Sequence, residues 1–339
     1  MSNKKKRIFF RVDGDHGNNS GLGHINRTLI VYFYLKKKFN SKYEFFFITK
    51  NYVLGKKILK QRTREKIYII NKSFLKKFIF TKEDKIIIDT LGAEKKLLHK
   101  LKKENVSEVV SFDELNPNFY NKGVIINGIY FAKKKIINKN KNIKIYQGPE
   151  YILLNNSFIN KKKINPNNNI LISSGGADKK NFLSKVIKIL INLKDDNLNF
   201  FVIIGKGVKK NNKIFKFQNL KKVRLIQNLN NLKTYFDRCN ISITAGGTVM
   251  FESISSGKAT LVIKTYEHQK YAIKYFKDLS LIKNLGDIKK IDLQIIKKNV
   301  YSFLYNKKII DKTFSKNTKA VDGKGLNRIK NILIKYINK

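Results

Sequence analysis

Three glycine corners constrain this chain more than any other feature. Gly21-Leu22-Gly23-His24 follows the apolar run at residues 6–12, Gly175-Gly176-Ala177-Asp178 follows residues 170–174, and Gly246-Gly247-Thr248 follows residues 241–245. Each is followed in turn by a stretch of helical periodicity, so the repeated order is strand, tight glycine loop, helix. Further apolar runs at residues 43–49, 67–70, 85–89, 109–113, 200–205, 223–226 and 261–263 alternate with helical patterns, and residues 123–127 and 143–148 close the first half. Strands alternating with helices predict an α/β chain with parallel, doubly wound sheets. The polar, Pro-containing stretch at residues 155–169 reads as a hinge. The expected domains are residues 1–150 and 151–317, with a terminal segment, residues 318–339, whose helix is placed to pack back on the first domain.

The first corner is not a dinucleotide fingerprint, because Gly21-x-Gly23 lacks the third glycine, and no Gly-Lys-Ser/Thr phosphate loop is present. Unpaired N–H groups at a helix start suit an anionic or polyhydroxy ligand all the same. His24 has two readings: a ring bonded to a carbonyl, or a neutral imidazole that takes a proton from water. Arg11, Asp13 and Asp15 just past the strand, with Arg27 one turn along the helix, favour the second. Asp89 and Asp113 each end an apolar run and are read first as helix caps, second as ligand contacts. In the other half, Gly246-Gly247-Thr248 offers small residues, N–H donors and a hydroxyl for a diphosphate. Glu252 follows Thr248 by one turn and is placed to accept two ribose hydroxyls. Gly175 and Gly176, followed by Asp178, occupy the neighbouring corner, and His268 and Gln269 head the next helix.

Composition narrows the function. The formal charge is +48, from 72 basic and 24 acidic residues, which at face value suggests nucleic acid. The lysines are spread over the whole chain beside abundant Asn and Ile, and no nucleic-acid module is present, so a specific nucleic-acid partner is not expected. Cys239 is the single cysteine, and the four histidines show no paired spacing, so neither a metal nor another cofactor is expected. No apolar run approaches the roughly 20 residues of a membrane span, and no leader pattern opens the chain. A cytoplasmic enzyme is the default.

The blocks also carry a resemblance. Arg11-Val-Asp13 with Gly21-x-Gly23-His24-x-x-Arg27, then Gly148-Pro149-Glu150-Tyr151-x-Leu153-Leu154, resembles the UDP-sugar hydrolases of pseudaminic acid synthesis and related spore-coat polysaccharide proteins. Ser174-Gly175-Gly176-x-Asp178, Ala245-Gly246-Gly247-Thr248-x-x-x-Glu252 and Asp322-Gly323-Lys324-Gly325-x-x-Arg328 are similar to that family's later blocks, in the same order. The resemblance implies a GT-B fold, two Rossmann-like domains facing across a cleft, with UDP on the C-terminal one. It implies inverting attack of water at the anomeric carbon, with His24 as general base and Asp13 as its orienting partner. Arg11, Gly21, Gly23, Arg27, Gly175, Gly176, Asp178, Gly246, Gly247, Thr248, Glu252, His268 and Gln269 are then the substrate contacts, with UDP-sugar as substrate and no metal or cofactor. His268-Gln269 departs from the Asn-Gln pair that many members carry. An inverting glycosyltransferase, a hydrolysing epimerase and a basic RNA-binding protein are the alternatives.

Overall fold

The computed structural model describes residues 5–14, 22–90, 92–106, 108–113, 122–129, 132, 136, 140–178, 180–193, 195–227, 229, 231–304 and 306–338. The chain divides into two compact units, Met1–Leu153 with Gly325–Lys339, and Leu154–Lys324.

In the first unit the described strands are β1 (Lys6–Val12), β2 (Tyr43–Thr49), β3 (Lys66–Ile69), β4 (Lys85–Asp89), β5 (Glu108–Phe112), β6 (Gly123–Asn127) and β7 (Ile143–Gln147). Between and after them run α1 (Gly23–Phe39), α2 (Val53–Arg62), α3 (Lys72–Lys77), α4 (Lys95–Lys103) and, from the chain end, α11 (Gly325–Ile337). The strands form one sheet in the order β3-β2-β1-β4-β5-β6-β7, with every ladder parallel. Parallel sheets are covered on both faces, and β1 shows why this sequence permits it. Ile8, Phe10 and Val12 join one apolar layer with Leu29 and Leu35 of α1 and Ile329 and Leu333 of α11. Phe9 points the other way, into a layer with Ile86, Ile88 and Leu97. Strand alternation thus gives one run two buried faces.

In the second unit the described strands are β8 (Asn169–Ser173), β9 (Asn199–Ile203), β10 (Val223–Ile226), β11 (Ile241–Ala245), β12 (Ala259–Lys264) and β13 (Ile282–Asp287), in the order β10-β9-β8-β11-β12-β13. Its helices are α5 (Phe182–Leu190), α6 (Lys233–Phe236), α7 (Thr248–Ser255), α8 (Lys270–Asp278), α9 (Leu293–Leu304) and α10 (Lys307–Ala320). The ladders are again parallel.

Several elements escape the sequence pattern. Strand β13 lies at the sheet edge and buries only part of its length, and α10 buries only Ile310 and Asn317 along one side. A lysine- and asparagine-rich segment with so few apolar positions has almost no period to detect. The short α2 and α3 hide for the same reason.

Both sheets reverse their strand order once, between β1 and β4 and between β8 and β11. Such a reversal opens a crevice at the carboxyl ends of the strands, because the helices that follow leave to opposite faces. The His24 corner follows β1, and the two later glycine corners follow β8 and β11. All three lie at switch points.

Candidate active site

The His24 corner is held by charge. Helix α1 begins at Gly23 with no side-chain cap and no acid in its first turn, so its leading N–H groups lack partners from that helix. The His24 Nδ1 lies 2.6 Å from Asp89 Oδ1 at the end of β4. Asp89 is fully buried; Arg27 donates Nε to its Oδ2 at 2.7 Å and Nη2 to Oδ1, while Thr28 Oγ1 donates at 3.2 Å. Burial alone would raise the pKa of Asp89, but the neighbouring Arg27 and His24 more than offset it, and the carboxyl stays well below its usual range. An ionised carboxylate only accepts, so Nδ1 carries the proton that faces it. With Nδ1 so engaged, it is the unprotonated form of the ring that would present Nε2 as an acceptor.

Arg27 is itself clamped. Its Nη1 donates to Asp113 Oδ2 at 2.5 Å, and its guanidinium stacks 5.0 Å from the centre of the Phe112 ring. Asp113 follows β5 in a left-handed conformation (φ 56°), and its Oδ1 accepts from Ile129 N at 3.0 Å. Asp89 does not cap α4, contrary to the first reading of that strand-end acid, and the residues that follow Asp113 lie outside the described ones. Glu94 stands at the start of α4 instead.

Asp13 does not orient His24. Its carboxylate is taken at 2.6 Å by both Arg11 terminal nitrogens and at 2.9 Å by Lys50 N, and Thr49 Oγ1 donates at 3.3 Å. Arg11 is fully buried and also reaches Glu94 Oε1 at 2.6 Å and Oε2 at 3.1 Å. Arg11 lies in β1 and Asp13 one residue past its end, and proximity pairs them before any ligand does. The Asp13 carboxyl feels burial upward and Arg11 more strongly downward, and stays ionised. Gly21 and Asp15 lie outside the described residues; Gly23 is the first residue of α1.

In the second unit, β8 and β11 are direct neighbours, so their corners lie side by side. Gly175 adopts φ +88° with open space where a side chain would stand, and Gly176 O accepts from Gly207 N at 2.8 Å. Gly246 is a close-approach position, since a Cβ there would meet Ile273 Cδ1 at 2.7 Å. Gly247 caps α7 without a side-chain bond, and Thr248 is exposed at the first helical turn. Glu252, one turn on, has a partly buried carboxylate with no partner among the described residues. Burial pushes its pKa up to about 7.

Asp178 turns inward instead. It accepts from Leu183 N at 3.2 Å and Asn212 Nδ2 at 3.3 Å, tying down the start of α5. Gln269 is also a builder: its Oε1 accepts from Thr265 N (2.9 Å), Thr265 Oγ1 (3.0 Å) and Tyr266 N (3.2 Å). His268 is exposed, with its ring parallel to Tyr266 at 5.7 Å. Lys180 stacks over the same Tyr266 ring at 4.9 Å and donates to Thr265 O.

The architecture has close counterparts among solved structures. MurG from Acinetobacter baumannii superposes with a TM-score of 0.63 at 13% identity, covering 97% of this chain and 99% of that one. A UDP-N-acetylglucosamine 2-epimerase gives 0.56 at 13% identity, covering 99% and 98%. The fold is GT-B. In sequence, the chain is 26% identical over 290 residues to the spore coat polysaccharide biosynthesis protein SpsG of Bacillus subtilis (strain 168), covering 81% of this chain and 83% of SpsG. It is 29% identical over 267 residues to the uncharacterized protein MJ1062 of Methanocaldococcus jannaschii, covering 74% of this chain and 54% of that protein, about half its length. No family model matches the chain. No helix among the described residues is long and apolar enough to cross a membrane.

Proposed function

We propose that the chain is a nucleotide-sugar hydrolase of surface-polysaccharide or nonulosonic acid synthesis, releasing UDP and a free deoxy-diacetamido sugar. The carrying observation is the 2.6 Å contact between His24 Nδ1 and the ionised, buried Asp89. It leaves Nε2 as the base at the crevice end of the first sheet. In the proposed reaction a water oxygen attacks the anomeric carbon while its proton passes to Nε2. The bond from that carbon to the diphosphate oxygen breaks, UDP leaves with the electron pair, and the configuration inverts. Gly246, Gly247 and the first N–H groups of α7 receive the diphosphate, whose charge suits a helix start. Thr248 adds a hydroxyl, and Glu252 accepts the ribose hydroxyls. That no partner reaches its carboxylate among the described residues supports that role. Gly175 and Gly176 give the ligand room from the neighbouring corner, Arg27 holds Asp89, and His268 contacts the sugar.

The similarity to SpsG supports a polysaccharide pathway, and the fold shared with MurG and the epimerase supports a nucleotide-sugar substrate. The diacetamido sugar rests on the family resemblance of the motifs. A sugar hydroxyl in place of water would make the same arrangement a glycosyltransferase. Incubation with UDP-linked diacetamido-trideoxyhexoses and no acceptor, followed by NMR, separates the two. Free sugar of inverted anomeric configuration and UDP are expected. A donor that stays intact until an acceptor is added would overturn the hydrolase reading.

A further inference from the structure

Lys180 ties together two corners of the second sheet that stand on either side of a third. It follows β8, past Gly175 and Gly176, and its ammonium donates to Thr265 O, just past the end of β12. Strand β11 lies between β8 and β12, about 4.8 Å from each, so the tie flanks the corner that carries Gly246 and Gly247. The anchor is packed on that corner. Thr265 N donates to Gln269 Oε1 at 2.9 Å, and a Cβ at Gly246 would meet Gln269 Cβ at 3.1 Å. A Cβ at Gly247 would meet Gln269 Nε2 at 4.0 Å.

Lys180 is half-buried, and the ring of Tyr266 covers one side of its ammonium at 4.9 Å. An ammonium carries three N–H donors, and among the described residues the neutral Thr265 carbonyl is the one acceptor bonded to this one. The acids at these corners are engaged elsewhere. Asp178 accepts from Leu183 N and Asn212 Nδ2, and Glu267 pairs with Lys264 and Lys270. Asp287 feels the Lys180 charge, but it pairs with Lys264 at 3.3 Å and accepts from Lys289 N at 2.9 Å. A cation with unused donors beside a glycine corner suits an anionic ligand seated on that corner.

On the reading of Gly246, Gly247 and Thr248 as the diphosphate seat, on which this rests, we propose that Lys180 hydrogen-bonds the diphosphate and holds its charge as UDP departs. When the bond from the anomeric carbon to the diphosphate oxygen breaks, that oxygen keeps the electron pair and accepts from the ammonium. No proton leaves the lysine, so its charge offsets the developing one throughout.

Calorimetric titration with UDP and ligand-observed NMR titration with uridine test the contact. Lys180→Gln keeps a donor for Thr265 O and removes the charge. It should weaken UDP binding about tenfold or more while leaving uridine binding within about twofold, and Lys180→Arg should recover most of the loss. Lys274→Gln, at an exposed lysine of α8, should change neither. UDP binding within about twofold of wild type in Lys180→Gln would overturn the contact. So would losses of equal size for UDP and uridine, or a loss that Lys274→Gln reproduces. In each of those cases a wild type that prefers UDP to uridine leaves the diphosphate seat standing. A wild type that binds UDP no more tightly than uridine would overturn the seat and the contact together. Lys180→Met gives the same reading should Lys180→Gln fail to fold.

Discussion

The imidazole of His24 and the carboxylate of Asp89 meet at 2.6 Å although 65 residues separate them in the chain. The contact joins the first turn of α1 to the end of β4, across the point where the strand order reverses. Asp89 also holds two nitrogens of Arg27, so one buried carboxylate fixes both the ring and the guanidinium.

His24→Ala should lower turnover by about 10²–10⁴-fold while leaving UDP affinity within about a factor of two. Asp89→Asn should lower turnover to a similar degree, and the double variant should be little worse than either single one, because the pair acts as a unit. Steady-state kinetics with a calorimetric UDP titration checks this. Turnover within about tenfold of wild type in His24→Ala would remove the ring from the base role.

Arg11 and Asp13 belong to the scaffold. Arg11→Leu leaves Asp13 and Glu94 close together without their shared cation and should cost about 3–5 kcal/mol of stability. Asp13→Asn should likewise lower the urea midpoint, yet keep turnover per folded molecule within about threefold. A selective loss of turnover without loss of stability would return Asp13 to the chemistry.

Glu252 makes stability depend on pH in an unusual sense. Its folded pKa, raised to about 7 by burial, lies above the unfolded value, so the folded state holds the proton more tightly. Its contribution is present below about pH 4 and fades as pH rises through 7, an effect on the order of 1–3 kcal/mol. Glu252→Gln should therefore gain stability relative to wild type between pH 5 and pH 8, read by Tm across that range. The same substitution should weaken UDP binding by about 1–3 kcal/mol at neutral pH.

Gly246→Val should damage both folding and binding. Its Cβ would stand 2.7 Å from Ile273 Cδ1, so the Ile273 side chain must move out of its packed position, at a cost of about 1–3 kcal/mol. The UDP dissociation constant should rise in proportion to the displacement of the corner. An unchanged dissociation constant would take this glycine out of the nucleotide site.

The sequence by itself determined the architecture, since β1, β8 and β11 are apolar runs that end in glycine corners and enter helices, a pattern with few folded solutions. Local patterning decides it because strand and helix periods are properties of neighbouring residues. Elements without a sharp apolar period, such as β13 and α10, became visible only where the fold gave them a partly buried face. The partnerships inside the site were decided by tertiary structure alone. Asp89 rather than Asp13 holds His24, Arg27 spans Asp89 and Asp113, and Asp178 and Gln269 spend their hydrogen bonds on the backbone around them. Each of those outcomes is a competition among several acids and several bases, settled by which carboxylate the sheet order brings within about 3 Å of which donor. Spacing along one chain carries no record of that distance.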